Sequence, residues 1–139
     1  MPADFEFFEH TADIGVRVTG ATLPELFVNA ARAMYSALGE LQGTDERRQR
    51  TVELRAETLE DLLHDWLSEL LYEVEANHAV FDDMKLQVAP GKLTAALNGG
   101  AIDFSRSYDS EEIKAVTYHQ LRVEQLPDGS WRATVIFDV

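Results

Sequence analysis

A long amphipathic helix in the middle of the chain is the feature that most limits the folds open to it. Thr58-Leu59-Glu60-Asp61 is a capping-box pattern that predicts a helix start. Apolar residues then recur at spacings of three and four over roughly four turns: Leu59, Leu62, Leu63, Trp66, Leu67, Leu70, Leu71 and Val74. A stripe this wide has to be buried, and a β-sheet offers the surface that covers it. We therefore expect a helix packed on a sheet.

A second helix and several strand patterns complete the prediction. Thr22 and Glu25 form another capping box, an apolar stripe follows, and Gly39 can end the helix. Alternating apolar residues predict strands near residues 5–9, 14–18, 52–56, 84–88, 93–97, 113–125 and 131–139. Residues 40–50 are polar and predict a solvated loop carrying three arginines. We expect one α+β domain over residues 1–139, with two amphipathic helices packed on mainly antiparallel β-sheet.

Composition narrows the classes of protein that the chain can represent. It has 139 residues, no cysteine and a formal net charge of −13. Disulfides, thiolate zinc sites and cysteine nucleophiles are excluded, and no long uncharged apolar run or basic leader is present, so we expect a cytoplasmic protein without membrane contact. The negative charge opposes direct binding to a phosphate backbone. It suits a basic protein partner or a cation, although acidic surfaces also serve solubility alone.

The last hairpin allows its register to be predicted. A three-residue loop of 127–129 with a left-handed Gly129 pairs Leu126 with Ser130 and Glu124 with Arg132. Continued without a break, that register puts Asp138 opposite Tyr118.

Two aspartates are candidate metal ligands. Asp13 lies in a tight loop between two predicted strands, and Asp138 precedes the terminal carboxylate of Val139. Carboxylate oxygens suit hard divalent cations such as calcium or magnesium. An Asp in a turn is more commonly a hydrogen-bonding turn residue, so the residues alone leave both interpretations open. His10 is either a group that orients or binds beside Asp13 or a simple turn residue.

Four separated segments resemble the archease family, in order and over essentially the whole chain. They are Phe7-Phe8-Glu9-His10-Thr11-Ala12-Asp13-Ile14-Gly15, then Asp61-Leu62-Leu63 through Trp66-Leu67-Ser68-Glu69-Leu70-Leu71-Tyr72, then Glu112-Ile113-Lys114-Ala115-Val116-Thr117-Tyr118-His119, and finally Phe137-Asp138-Val139.

The resemblance implies a protein cofactor rather than an enzyme. Archeases activate the tRNA-splicing RNA ligase, promoting its guanylylation and its multiple turnover as it joins 3′-phosphate or 2′,3′-cyclic phosphate RNA ends to 5′-hydroxyl ends. RNA would be met only through that ligase. The family's metal ligands fall on Asp13, Asp138 and Val139, and its functional lysine falls on Lys114. Calcium is the first ion we expect, with magnesium and manganese as alternatives.

The predicted register separates the lysine from the aspartates. Lys114 has the strand parity of Tyr118 but lies four residues away, or about 13 Å. We therefore expect Lys114 to meet Asp138 only through a bend or a bound partner. A stand-alone metal-dependent hydrolase and a general chaperone remain the rival functions.

Overall fold

Two helices and ten strands make up the part of the chain that the computed structural model describes, residues 4–10, 13–109 and 112–139. The helices are α1 (Leu23–Leu38) and α2 (Leu59–Asn77). The strands are β1 (Phe5–His10), β2 (Asp13–Gly20), β3 (Gly39–Glu40), β4 (Gly43–Arg55), β5 (Ala79–Ala89), β6 (Lys92–Ile102), β7 (Tyr108–Asp109), β8 (Ala115–Val116), β9 (Arg122–Gln125) and β10 (Trp131–Asp138). None of the helices within these ranges is both long and apolar enough to span a bilayer.

Both predicted helices are confirmed, together with the caps that start them. The Thr22 hydroxyl accepts from the Glu25 amide at 3.3 Å, and the Thr58 hydroxyl accepts from the Asp61 amide at 3.0 Å. The stripe of α2 is buried, and the Trp66 indole N–H donates to the carbonyl of Phe27 in α1 at 2.9 Å. Because a buried indole N–H needs an acceptor, this bond holds the two helices in one register.

Three antiparallel sheets surround the helices. The five-stranded sheet has the order β1-β2-β10-β8, with β9 also pairing with β10; β4-β6-β5 form a second sheet and β3-β7 a small third one. Helices α1 and α2 contact both larger sheets. The inner face of the five-stranded sheet is apolar and buried, and it is built from Val16, Val18, Ala133, Val135 and Phe137. The predicted α+β fold with two helices on antiparallel sheet is confirmed.

Strand β4 corrects the prediction of a solvated loop at residues 40–50. The strand runs from Gly43 to Arg55 and pairs with β6 along most of its length. Arg50 replaces an apolar residue on the helix side, since its guanidinium pairs with Glu69 of α2 at 2.6 Å and with the buried Glu73. The amide of Asn77 donates to the second oxygen of Glu73 at 2.7 Å. An ion pair thus takes the place of the apolar contact that the side-chain alternation of a half-buried strand normally indicates.

The last hairpin has the predicted loop, but its register does not continue as predicted. Gly129 has φ 91°, the Leu126 amide donates to the Ser130 carbonyl at 2.8 Å, and Glu124 faces Arg132. On the amino-terminal side of Arg122 the pairing with β10 is interrupted by a turn in which Gln120 has φ 54°, and the segment before this turn pairs with β10 again as β8. Asp138 is consequently opposite Ala115, and its predicted pairing with Tyr118 was wrong.

Candidate functional site

Asp13 and Asp138 lie directly opposite each other on neighbouring strands. Asp13 opens β2, Asp138 closes β10, and the two are partners in the antiparallel register. Directly opposite residues of an antiparallel pair project from the same face, with Cβ atoms about 4.5–5.5 Å apart. The fold therefore brings together the two aspartates that the sequence singled out.

The aspartate pair occupies the face of the sheet that points away from the helices. The adjacent pair, Ile14 opposite Phe137, packs into the core, so the alternation of side chains turns the aspartates outward. Asp138 is exposed and Asp13 is half-buried. Solvent, an ion or a partner protein can therefore reach both.

An apolar row borders the aspartate pair on the same face. Phe8, Gly15 and Ile136 lie opposite one another across β1, β2 and β10. A Cβ atom at Gly15 would collide with the Phe8 ring, so the absence of a side chain lets that ring lie flat over the sheet. Ile136 is fully buried, and the Arg17 guanidinium covers the Phe8 ring at 4.3 Å. Sequence reasoning missed this row, although a glycine inside a strand pattern was a signal for close packing.

Lys114 is much nearer to Asp138 than the predicted register allowed. Its backbone N–H donates to the Asp138 carbonyl at 2.7 Å because the chain turns at Gln120, and a bend was one of the two ways in which we expected these residues to meet. Ala115, rather than Lys114, is the residue opposite Asp138, and Lys114 lies beside a groove with Leu38 and Val74 of the helices. The backbone hydrogen bond thus joins two functional candidates that lie around one sheet edge.

The other predicted site residues, Val139 and His10, differ in how far the structure describes them. Val139 follows Asp138, is half-buried and packs against the core. The backbone of His10 is opposite Asp13, but its side chain, like Thr11 and Ala12 of the predicted loop, lies outside what the structure describes. Among residues 4–10, 13–109 and 112–139, no group of three or more His, Cys, Asp or Glu side chains is arranged to hold a metal ion. Within the described residues, further oxygen ligands would have to come from the backbone, the terminal carboxylate or water.

A comparison with known families decides to which of them the chain belongs. The sequence model of the archease protein family (MTH1598/TM1083) matches residues 5–139. The chain belongs to the archease family. An archease from Thermococcus gammatolerans is 37% identical over 139 residues, covering 97% of this chain and 98% of that protein. An archease from Methanosarcina mazei is 41% identical over 142 residues, covering 97% and 95%.

Two solved structures share the archease fold. The solution structure of protein 1598 from Methanobacterium thermoautotrophicum has a TM-score of 0.74 at 30% identity and covers 98% of this chain and 99% of that one. The crystal structure of "an archease, possible chaperone" from Thermotoga maritima has a TM-score of 0.69 at 25% identity, covering 95% and 94%. These comparisons confirm the resemblance and the fold over nearly the whole length of the archease chain.

The donor chemistry of the aspartate pair fits a hard cation. Two carboxylates directly opposite each other on a strand pair repel. A divalent ion that prefers oxygen ligands would relieve this repulsion. Within the described parts of the chain, the Asp138 carboxylate makes no hydrogen bond or ion pair with another side chain. The archease residues at this edge therefore suit calcium, magnesium or manganese, and they offer no sulfur donor.

Proposed function

We propose that the protein activates the tRNA-splicing RNA ligase by promoting its guanylylation and multiple turnover. The joined ends would be a 3′-phosphate or 2′,3′-cyclic phosphate and a 5′-hydroxyl. Family membership supports the proposal, and one observation carries it. The cross-strand pair Asp13–Asp138 lies one hydrogen bond away from Lys114. The acidic oxygens lie on the outer face of the sheet and the exposed Lys114 lies beside the helix ends, so these groups flank one sheet edge. A partner bound at that edge could contact both.

Each residue has a physical role in this proposal. Asp13, Asp138 and the carboxylate of Val139 would hold a divalent cation, which supplies a concentrated positive charge when bound. The ammonium of Lys114, which is exposed, would offset negative charge on the phosphates during guanylyl transfer. The apolar row of Phe8, Gly15 and Ile136 packs on the sheet beside the pair. The guanylyl group and the RNA would remain on the ligase.

The charge of the chain supports indirect contact with RNA. A net charge of −13 repels a phosphate backbone, whose binding depends on lysine and arginine displacing counterions. The ligase would therefore hold the RNA, while this protein approaches as an acidic partner. We expect no measurable binding of the isolated protein to RNA ends at physiological salt.

Multiple-turnover ligation by the cognate ligase tests the proposal. The assay compares wild type with Asp13→Asn, Asp138→Asn and Lys114→Ala, and we expect each variant to lose most of the stimulation. Asp83→Asn and Lys85→Ala are matched controls, because both residues are exposed on β5. Wild-type protein that fails to stimulate the ligase would overturn the function. Full stimulation by all three folded variants would overturn the assignment of the site.

A chaperone is the second candidate, because the Thermotoga relative is described as a possible chaperone. A general chaperone needs a contiguous exposed apolar patch. The large exposed apolar side chains in the described ranges are Phe7, Tyr72, Phe104 and Tyr118. Suppression of the aggregation of unrelated client proteins, unaffected by Asp138→Asn, would favour this candidate over the ligase activator.

A further inference from the structure

A groove of about 580 Å³ lies beside Lys114, where the carboxyl-terminal ends of both helices approach each other. Leu38 ends α1, and Val74 lies in the last turns of α2. Leu41 and the fully buried Ile113 complete its apolar lining. The groove therefore offers an apolar floor large enough for one or two side chains of another protein.

The rim of the groove is negatively charged. Carbonyl groups at a helix carboxyl end carry a partial negative charge that basic residues normally balance. Neither α1 nor α2 has a basic residue in its last turn. The exposed residues Glu75 and Glu112 add two carboxylates, and Lys114 is the one cation among the described residues that line the groove. This local imbalance would be relieved by a partner that carries positive charge.

An exposed aromatic side chain is held next to the groove. Phe104 is 65% exposed and its ring meets the His78 ring edge-on, with centroids 5.3 Å apart. The Asp103 carboxylate accepts from the amide of Ser105 at 3.0 Å and from the Arg106 guanidinium at 2.7 Å, and these bonds lower the pKa of Asp103, the hydroxyl bond from Ser105 most of all. These hydrogen bonds brace the turn that presents Phe104, and a braced aromatic anchor loses less entropy when it binds.

The chain connections place this turn at the groove. The Asp103 amide donates at 2.7 Å to the carbonyl of Gln42, which directly follows the groove residue Leu41. His78, which Phe104 touches, ends α2 one turn after Val74. Phe104 therefore lies close to the groove, and we name the two together the helix-end surface. It comprises Leu38, Leu41, Val74, Glu75, Phe104 and Glu112.

We propose that the helix-end surface docks the ligase, through a ligase segment that places an apolar side chain in the groove and lysine or arginine against Glu75 and Glu112. This inference rests on the proposed function and adds the contact surface to it. Apolar anchors in pockets supply most of the affinity of an interface, and complementary rim charges speed association. The hydrogen bond from Lys114 to Asp138 links this surface to the aspartate pair. A ligase docked here would meet both sides of the sheet edge.

Charge reversal tests the rim. The dissociation constant for the cognate ligase is measured by fluorescence anisotropy for wild type, Glu75→Lys/Glu112→Lys and the control Glu57→Lys/Asp83→Lys. All four residues are exposed, and the two double variants change the net charge equally. We expect the rim variant to bind at least about tenfold more weakly, mainly through slower association and with a smaller salt dependence. The dissociation constant of the control should stay within about twofold of that of wild type, since exposed charges outside the interface contribute little.

Truncation of the aromatic side chain tests the anchor. Phe104→Ser should weaken binding about tenfold, mainly through faster dissociation. Tyr118→Ser is the control, because Tyr118 is also exposed but stacks on His64 in the first half of α2. Unchanged thermal unfolding of each variant establishes that the fold is intact.

The outcomes separate this inference from the function on which it rests. Wild-type protein that neither binds nor stimulates the ligase overturns both. Stimulation by wild type, together with unchanged binding of the rim variant and of Phe104→Ser, overturns the docking surface alone. Equal losses in the rim variant and its charge-matched control would show a general charge effect and would also overturn it.

Discussion

Replacing Asp138 by asparagine should stabilise the metal-free protein while removing its response to a divalent cation. The substitution keeps the shape of the side chain and removes one of two carboxylates that face each other across β2 and β10. Most surface substitutions change stability by less than about half a kilocalorie per mole. Opposite signs with and without the ion would therefore be specific to this geometry.

The magnitude follows from the register. Like charges directly opposite on a strand pair cost about 0.2–1 kcal/mol, and two charges about 5 Å apart in water give a similar figure, about 0.8 kcal/mol. Asp138→Asn should raise the melting temperature in EDTA by about 1–4 °C for a domain of this size. With calcium at about one hundred times its dissociation constant, wild type should gain about 2.7 kcal/mol, or about 8–10 °C. The variant should gain little.

Thermal unfolding followed by circular dichroism measures both quantities. Asp83→Asn is the matched control, since Asp83 also lies within a strand but faces the neutral Asn98. Its melting temperature should not change in EDTA, and its calcium response should equal that of wild type. A lower melting temperature for Asp138→Asn in EDTA, or a calcium response as large as that of wild type, would refute the reasoning.

Three further predictions concern the scaffold. Arg50→Ala leaves the Glu73 carboxylate buried without its cation and should lower the free energy of unfolding in urea by about 2–3 kcal/mol. This figure is below the range for a fully buried pair because the Arg50 side chain is 39% exposed. Adding Glu73→Gln to this variant should recover part of the loss, and strict additivity of the two changes would contradict the pairing. Hydrogen bonds from Arg132 hold the pKa of Glu124 below its usual value, so Arg132→Ala should raise that pKa in an NMR titration. A carboxyl whose pKa is lower in the folded state stabilises the fold at pH values above its unfolded-state pKa, and this stabilisation is lost as the pH falls through its folded-state pKa. Wild type and Arg132→Ala should therefore become equally stable in acid. Thr58→Ala removes the cap of α2 and should cost about 1 kcal/mol in the same urea assay; no loss would mean that water replaces the cap.

The helices and the last hairpin could be predicted because their signals are local. Apolar spacing and capping residues determine a helix over a few turns, and Gly129 together with the side-chain alternation of the flanking strands determines the hairpin loop. The positions of Asp13 and Asp138 in the chain made them candidates, the family resemblance favoured them as metal ligands, and the register of β2 with β10 brought them together. Their role as metal ligands remains a prediction.

The break between β8 and β9 could not be predicted in the same way. Gln120 takes a left-handed conformation there, which glycine or asparagine would have signalled, and the Leu121 amide closes the turn on the carbonyl of Tyr118. The break moves Ala115, instead of Tyr118, opposite Asp138 and thereby brings Lys114 to the site. A single turn without a sequence signal thus decided whether Lys114 lies near the two aspartates.

Strand β4 escaped prediction for a different reason. Its helix-facing position 50 is an arginine, so the apolar alternation that marks a half-buried strand is missing. The compensating carboxylates are on α2, Glu69 and Glu73, distant in sequence. Only the assembled fold reveals such a pair.

The central position of β10 gives the aspartate pair a second meaning. Asp13 comes from the first hairpin and Asp138 from the final strand, and they become neighbours only when that strand inserts between β2 and β8. An ion or partner that needs both carboxylates would therefore not bind nascent, truncated or partly unfolded molecules. If ligase activation needs that ion or contact, only molecules that have completed folding could activate the ligase, and the order of the strands would then act as a quality control.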